Sequence, residues 1–167
     1  MRKRHFLMAA AIALSLGSVF AGALSTPTGK VVLTITGKIS ETNSPQGAQF
    51  DMAMLEKLPQ HSFTTLTPWD KKPIQFTGPL LREVLATVKA KGSVITAMAL
   101  NDYQTSIPVE DAMKYNMVIA HKMNGQAIAV KTKGPLFIVY PFDAKPELRS
   151  ATYYERSPWQ LKSLTLK

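Results

Sequence analysis

Gly134-Pro-Leu-Phe-Ile-Val-Tyr-Pro-Phe-Asp143, followed by Tyr153-Tyr-Glu-Arg-Ser-Pro-Trp-Gln-Leu161, is the stretch on which the fold turns. Leu136 to Tyr140 is a β-branched and aromatic run bounded by Gly134-Pro135 and Pro141, which reads as a buried strand. Gln160 to Leu166 alternates apolar and polar residues and reads as a closing strand. Trp159 stands beside that alternation and is expected to pack in the core. Tyr153 and Tyr154, if extended, face opposite ways, so only one of them can line a pocket.

The same strand chemistry recurs upstream. Lys30 to Gly37 predicts a strand ending in a turn, and Ser40 to Gln49, with Pro45 and Gly47, predicts a loop. Asp51 suits the N-cap of a short helix over Phe50 to Leu58 that Pro59 stops. His61 to Thr67 is β-rich and runs into Pro68-Trp69-Asp70-Lys71-Lys72-Pro73. Phe76-Thr-Gly-Pro79 is expected to open a helix over Leu80 to Val88, with Pro79 in its first turn, an apolar stripe at 80, 81, 84, 85 and 88, and Gly92 as its end. Arg82 falls on that helix's polar side. Further strands are expected at Ser93 to Leu100, Gln104 to Ile107, Met117 to Lys122 and Gln126 to Val130, with a helical turn at Pro108 to Met113. Asn101-Asp102 and Asn124-Gly125 supply the turns. Short strands with a few short helices define an α+β domain on a mixed or largely antiparallel sheet.

Residues 1–23 join a basic head, an apolar middle from Phe6 to about Phe20 and the ending Ala21-Gly22-Ala23, the layout of a secretory signal peptide. Cleavage after Ala23 would leave one domain over residues 24–167, exported and expected in the periplasm. The formal charge is +9, of which Arg2, Lys3 and Arg4 supply three, leaving +6 on the mature chain. Its lysines are scattered, with no run longer than Lys71-Lys72, so the clustered footprint of a nucleic-acid binder is missing.

Catalytic motifs are few. With no cysteine in the chain there is no thiol nucleophile, and no Gly-x-Ser-x-Gly elbow or phosphate loop is present. His5, His61 and His121 share no ligand spacing, so no metal site is expected, and His121 is expected to be a satisfied sheet residue. Composition and spacing alone imply an exported α+β domain that binds rather than catalyses.

Six segments in order carry a resemblance: Phe50 to Pro59, Thr64 to Leu85, Asn101 to Asp111, Met123-Asn-Gly-Gln-Ala-Ile128, Gly134 to Asp143 and Arg156 to Leu161. Together they resemble the molybdopterin-binding domain of the sulfite oxidase family, and in particular small periplasmic pterin-binding sensors of the PruR type. The resemblance implies a sulfite-oxidase-like fold. It also puts Thr65 where the family carries its metal-ligating cysteine, four residues before Trp69 and upstream of Pro79-Leu80-Leu81-Arg82. Threonine is a poor ligand beside a thiolate. The expectation is therefore a non-catalytic binder of a tetrahydropterin-like ligand without molybdenum. Its implied partner is the periplasmic part of a membrane-bound cyclic-di-GMP-metabolising enzyme. The rival expectation is a molybdenum–pterin oxidoreductase that works without the cysteine ligand.

A pterin needs an aromatic plane to stack on, a carboxylate for its guanidine-like edge and donors for its carbonyl. The candidates are Trp69 for stacking, Tyr140 and Tyr154 for lining, Asp143 for the edge and Arg156 as donor. Thr65, Asn101 and Asp102 are secondary candidates, the last two with a competing role in their turn. Asp143 has its own competing role as a helix cap.

Overall fold

The computed structural model describes residues 24–167; the signal-peptide reading of residues 1–23 lies outside them. In chain order the elements are β1 (Val31–Gly37), β2 (Ala48–Asp51), α1 (Met52–Lys57), β3 (Gln60–Thr65), β4 (Ile74–Pro79), α2 (Leu81–Thr87), β5 (Val94–Ala99) and β6 (Gln104–Pro108). Then follow α3 (Val109–Lys114), β7 (Val118–Ala120), β8 (Lys122–Met123), β9 (Gln126–Ala127), β10 (Phe137–Val139), a 3-10 turn at Pro146–Leu148, α4 (Ala151–Glu155) and β11 (Leu161–Leu166).

The larger sheet has the order β2-β1-β11-β5-β6, in which β1 and β11 are parallel and every other pair is antiparallel. A four-stranded antiparallel sheet, β3-β4-β8-β9, and the pair β10-β7 complete the fold. This is the expected α+β architecture, consistent with the sulfite-oxidase-like fold. Leu33, Ile35, Phe50, Leu81, Leu85, Ile95, Ile107, Phe137 and Leu164, all buried, join sheets and helices in one core. Because β11 lies between β1 and β5, the C-terminal strand is central to the larger sheet. Its approach is stitched to β10 by Ile138 N donating to Pro158 O and Leu161 N donating to Leu136 O.

Local chemistry explains most elements. Asp51 caps α1 by accepting from Met54 N at 2.8 Å, and its other oxygen takes the amides of Thr28 and Gly29. Asn124 (φ 49°) and Gly125 (φ 78°) form the left-handed pair that a tight hairpin requires between β8 and β9.

Four expectations about the elements are overturned. Phe76 to Pro79 does not open a helix: it belongs to β4, the strand joining β3 to β8, and Pro79 ends that strand. The alternation that marks β4 is hidden because Gly78 replaces a side chain where β4 crosses β7, and a methyl there would fall on the Ile119 carbonyl. The helix stops at Thr87 rather than at Gly92, the turn being made by Lys89 in the left-handed region. Part of the predicted loop up to Gln49 is strand β2. Finally, Ala151 to Glu155 is a helix, so Tyr153 and Tyr154 point about 100° apart around it rather than to opposite sides of a strand.

Candidate functional site

Between β3 and β4 the chain makes a tight turn. The Thr67 hydroxyl donates to Asp70 Oδ2 at 2.6 Å and accepts from Trp69 N at 3.2 Å, while Lys133 Nζ reaches both Asp70 oxygens at 2.8 and 3.0 Å. Burial works to raise the Asp70 pKa, but Lys133 and Thr67 outweigh it and the carboxyl stays below its ordinary value. This lock presents Trp69 at the surface with 36% of its area exposed, leaving part of the indole open to a ligand.

Behind Trp69 stands a nest of aromatic edges. Trp159 meets it at 5.2 Å and 88°, Tyr154 at 6.1 Å and Phe142 at 6.4 Å between ring centres. The arrangement opens into a cleft of about 290 Å³ walled by Trp69, Tyr103, Tyr154 and Trp159. Its polar groups are Asn101, Glu155 and Ser157, and Ala99 and Pro158 complete the lining. Tyr103 is held over it by donating its hydroxyl to the Glu155 carbonyl at 2.8 Å, and Asn101 Oδ1 accepts from Tyr103 N at 3.2 Å. The loop after β5 and the end of α4 are thereby tied together across the cleft. The volume lies at the lower edge of the roughly 300–1,000 Å³ usual for small-molecule sites. It suits one flat heterocycle rather than a dinucleotide.

The candidates named from sequence divide. Trp69, Tyr154 and Asn101 line this cleft. Tyr140 does not: it is fully buried, and its hydroxyl donates to Asp111 Oδ2 at 2.8 Å. Burial, reinforced by that hydrogen bond, pushes its phenol far above the ordinary range. Arg156 is likewise absent from the lining. Its NH1 donates to the same Asp111 oxygen at 3.0 Å and its guanidinium lies over the Tyr153 ring, because the last turn of α4 sends residues 153 and 156 to one side and 154 to another.

Asp143 also stands outside the cleft. Its Oδ2 accepts from Leu66 N at 2.7 Å and its Oδ1 from Arg149 at 2.8 Å, so it caps the end of β3 instead of a helix. The Leu66 amide, with help from Arg149, holds its carboxyl below the ordinary value. Thr65 is 1% exposed, and its hydroxyl accepts from Asp143 N at 3.0 Å. Asp102, at φ 65°, serves its turn and pairs with Lys162 at 2.7 Å.

The residues sequence reasoning passed over are Tyr103, Glu155 and Ser157. Ser150 before Ala151-Thr-Tyr-Tyr-Glu155 is the N-terminal signal that could have revealed α4, and with it the placing of Glu155. Trp159, expected in the core, is only half-buried, and the backbone from 156 to 160 is not a strand.

His121 is buried and its Nε2 meets Gln60 Oε1 at 2.8 Å, so its ring is satisfied as expected, although it stands at the break between β7 and β8 rather than within the predicted strand. Burial lowers its pKa below the ordinary 6.5, against the opposing pull of Glu56. A lowered folded value means that the unfolded chain takes up the proton first. Stability is therefore fully present above pH 6.5 and falls as the pH drops through 6.5 toward the lower folded value. Urea unfolding midpoints measured across that window should decline, and His121→Gln should flatten the decline.

These features define a small α+β domain with an aromatic ligand cleft. The chain belongs to the oxidoreductase molybdopterin-binding domain family, whose model matches residues 26–143. No curated protein matches the chain. The match stops at Asp143, so Trp69, Asn101 and Tyr103 fall inside it, whereas the α4 side of the cleft is supplied by residues beyond it.

The family's cofactor is a metal held on a pterin, and the residues present suit its two parts unequally. The cleft offers ring faces of the kind that a flat heterocycle needs, and Glu155 in its lining carries a carboxylate. For the metal there is no thiolate anywhere in the chain, and the Thr65 hydroxyl is committed to the Asp143 amide. Among the described residues no three His, Cys, Asp or Glu side chains gather as a ligand set.

Proposed function

We propose that this protein is a non-catalytic binder of a reduced pterin. The observation that carries the reading is the pairing of an open, four-walled aromatic cleft with the loss of every thiol that could anchor a metal beside it. Trp69 provides the stacking surface and Tyr154 an adjoining wall. Glu155, not Asp143, is the carboxylate within reach of the cleft, and it takes the role of accepting from the ligand's guanidine-like edge. The Asn101 amide NH2 can donate to the ring's remaining polar atoms, and the Ser157 hydroxyl, whose proton goes to the Tyr153 carbonyl at 2.8 Å, can accept from them. With a bound metal the family's cofactor supplies oxygen-atom transfer; this chain's own residues bind and orient the organic ring.

An exported binder without chemistry of its own acts through another protein. On the resemblance to PruR-type sensors, we infer that it works in the periplasm and reports ligand occupancy to the outer part of a membrane-bound enzyme of cyclic-di-GMP metabolism. The rival reading, an oxidoreductase that keeps molybdenum without a cysteine, draws on the family's name. Protein purified from a host that makes the cofactor separates the two. The binder releases a pterin that fluoresces after oxidation and carries far less than one molybdenum per chain. Stoichiometric molybdenum would overturn it.

Glu155→Gln keeps the size of the side chain and removes its charge. Replacing a charge-assisted pair by a neutral one should cost about 1.5 kcal/mol, or roughly tenfold in pterin affinity by calorimetry. Asp143→Asn should leave that affinity within about twofold, since a group outside the cleft contributes little to binding.

A further inference from the structure

A second cavity, of about 280 Å³, lies between the start of β3, the end of α3 and the segment after β10, and it shares no residue with the aromatic cleft. Its floor is Tyr115, 3% exposed, whose ring is wedged against Tyr140 and Tyr153 and whose hydroxyl bonds the Tyr153 hydroxyl at 3.1 Å. Two ammonium groups converge on that ring, Lys114 Nζ at 5.0 Å and Lys145 Nζ at 5.5 Å from its centre. Neither takes part in any of the ion pairs among the described residues, which use Arg82, Lys89, His121, Lys133, Arg149, Arg156 and Lys162. The Tyr115 hydroxyl is the main group acting on Lys114; Glu147 acts on it more weakly and makes no ion pair with it.

Asn116 adds a third donor with a fixed sense. Arg82 NH1 donates to its Oδ1 at 2.7 Å, which leaves the amide NH2 as the end available to the cavity. Phe63, half-buried on β3, together with Pro141 and Leu148, gives the cavity an apolar wall. Two unpaired cations and an oriented N–H above a rigid ring are the chemistry of an anion site, and the wall beside them asks for an apolar body attached to the anion.

We propose that this cavity is a second ligand site, taking a phosphate or carboxylate group carried on a small flat apolar molecule. Lys114, Lys145 and Asn116 hold the anion, and Phe63 and Tyr115 face the carrier. The proposal does not depend on what fills the aromatic cleft.

Calorimetry of residues 24–167 with phenyl phosphate, benzoate and inorganic phosphate tests it and separates the two anion sources. Phenyl phosphate or benzoate should bind saturably at one site and more tightly than inorganic phosphate, the preferred anion being the tighter of the two. The variant Lys114→Gln/Lys145→Gln should lose about tenfold in affinity, whereas Lys71→Gln/Lys72→Gln, with the same change in net charge, should lose less than about twofold. Both pairs are exposed, so neither variant threatens the fold. Trp69→Ala should leave phenyl phosphate binding intact. No saturation with any of the three probes, equal losses in the two lysine variants, or loss of the probe in Trp69→Ala would each overturn the assignment.

Discussion

Trp69→Ala is expected to weaken tetrahydropterin binding by about thirtyfold, the equivalent of roughly 2 kcal/mol for one lost stacking plane. The indole is the one cleft wall on the β3–β4 turn, and its exposed face has no substitute there. Trp159, 5.2 Å away, remains as a reporter, so ligand-induced quenching in the variant should shrink in proportion to occupancy rather than vanish with the fluorophore. Trp69→Phe keeps a ring in place and should recover most of the affinity. Equal affinity in wild type and Trp69→Ala, by calorimetry, would remove Trp69 from the site.

Asp111→Ala carries the largest expected effect on stability. One Asp111 oxygen serves both the Tyr140 hydroxyl, which is fully buried, and the Arg156 guanidinium. Removing it strands a buried donor and a half-buried cation together. Losses of this kind run to about 3 kcal/mol, equivalent to a fall of roughly 10 °C in Tm for a domain of this size. Tyr140→Phe deletes only one donor and leaves the Asp111–Arg156 pair intact, so it should cost about 1 kcal/mol. A scan in which both variants melt like the wild type would show that the network adds nothing to the fold.

This network also explains why two site expectations failed. Tyr140 and Arg156 are the residue types a ligand site uses, and nothing in their sequence neighbourhood distinguishes a donor facing a ligand from one facing Asp111. That partner stands 29 and 45 residues away, where only the folded chain brings it. Asp143 failed for a related reason: its partner Leu66 follows the end of β3, 77 residues distant. Trp69 and Asn101 were easier to place because each sits in a turn with short-range bonds, Thr67 to Asp70 and Asn101 to Tyr103, with Lys133 reinforcing the first from a distance.

The fold was easier to read. Strands β1, β5, β6 and β11 announce themselves by β-branched alternation, and α1 by its Asp51 cap. Strand β4 and helix α4 did not. In the first, Gly78 replaces a side chain where another backbone passes; in the second, a five-residue helix is too short to show a period. Missing α4 had the larger consequence, because it concealed that Glu155 and Tyr154 share the cleft while Arg156 turns away.

The central claim is that a cleft built for a fused heterocycle operates here with no thiolate beside it. Diffraction from crystals of residues 24–167 grown with a tetrahydropterin tests this most directly. The account predicts bicyclic density stacked on the exposed face of Trp69, beside Tyr154, with its amino edge on Glu155 and no metal near Thr65. Saturated crystals whose cleft stays free of the ring, or whose pterin lies on some other face of the domain, would contradict it.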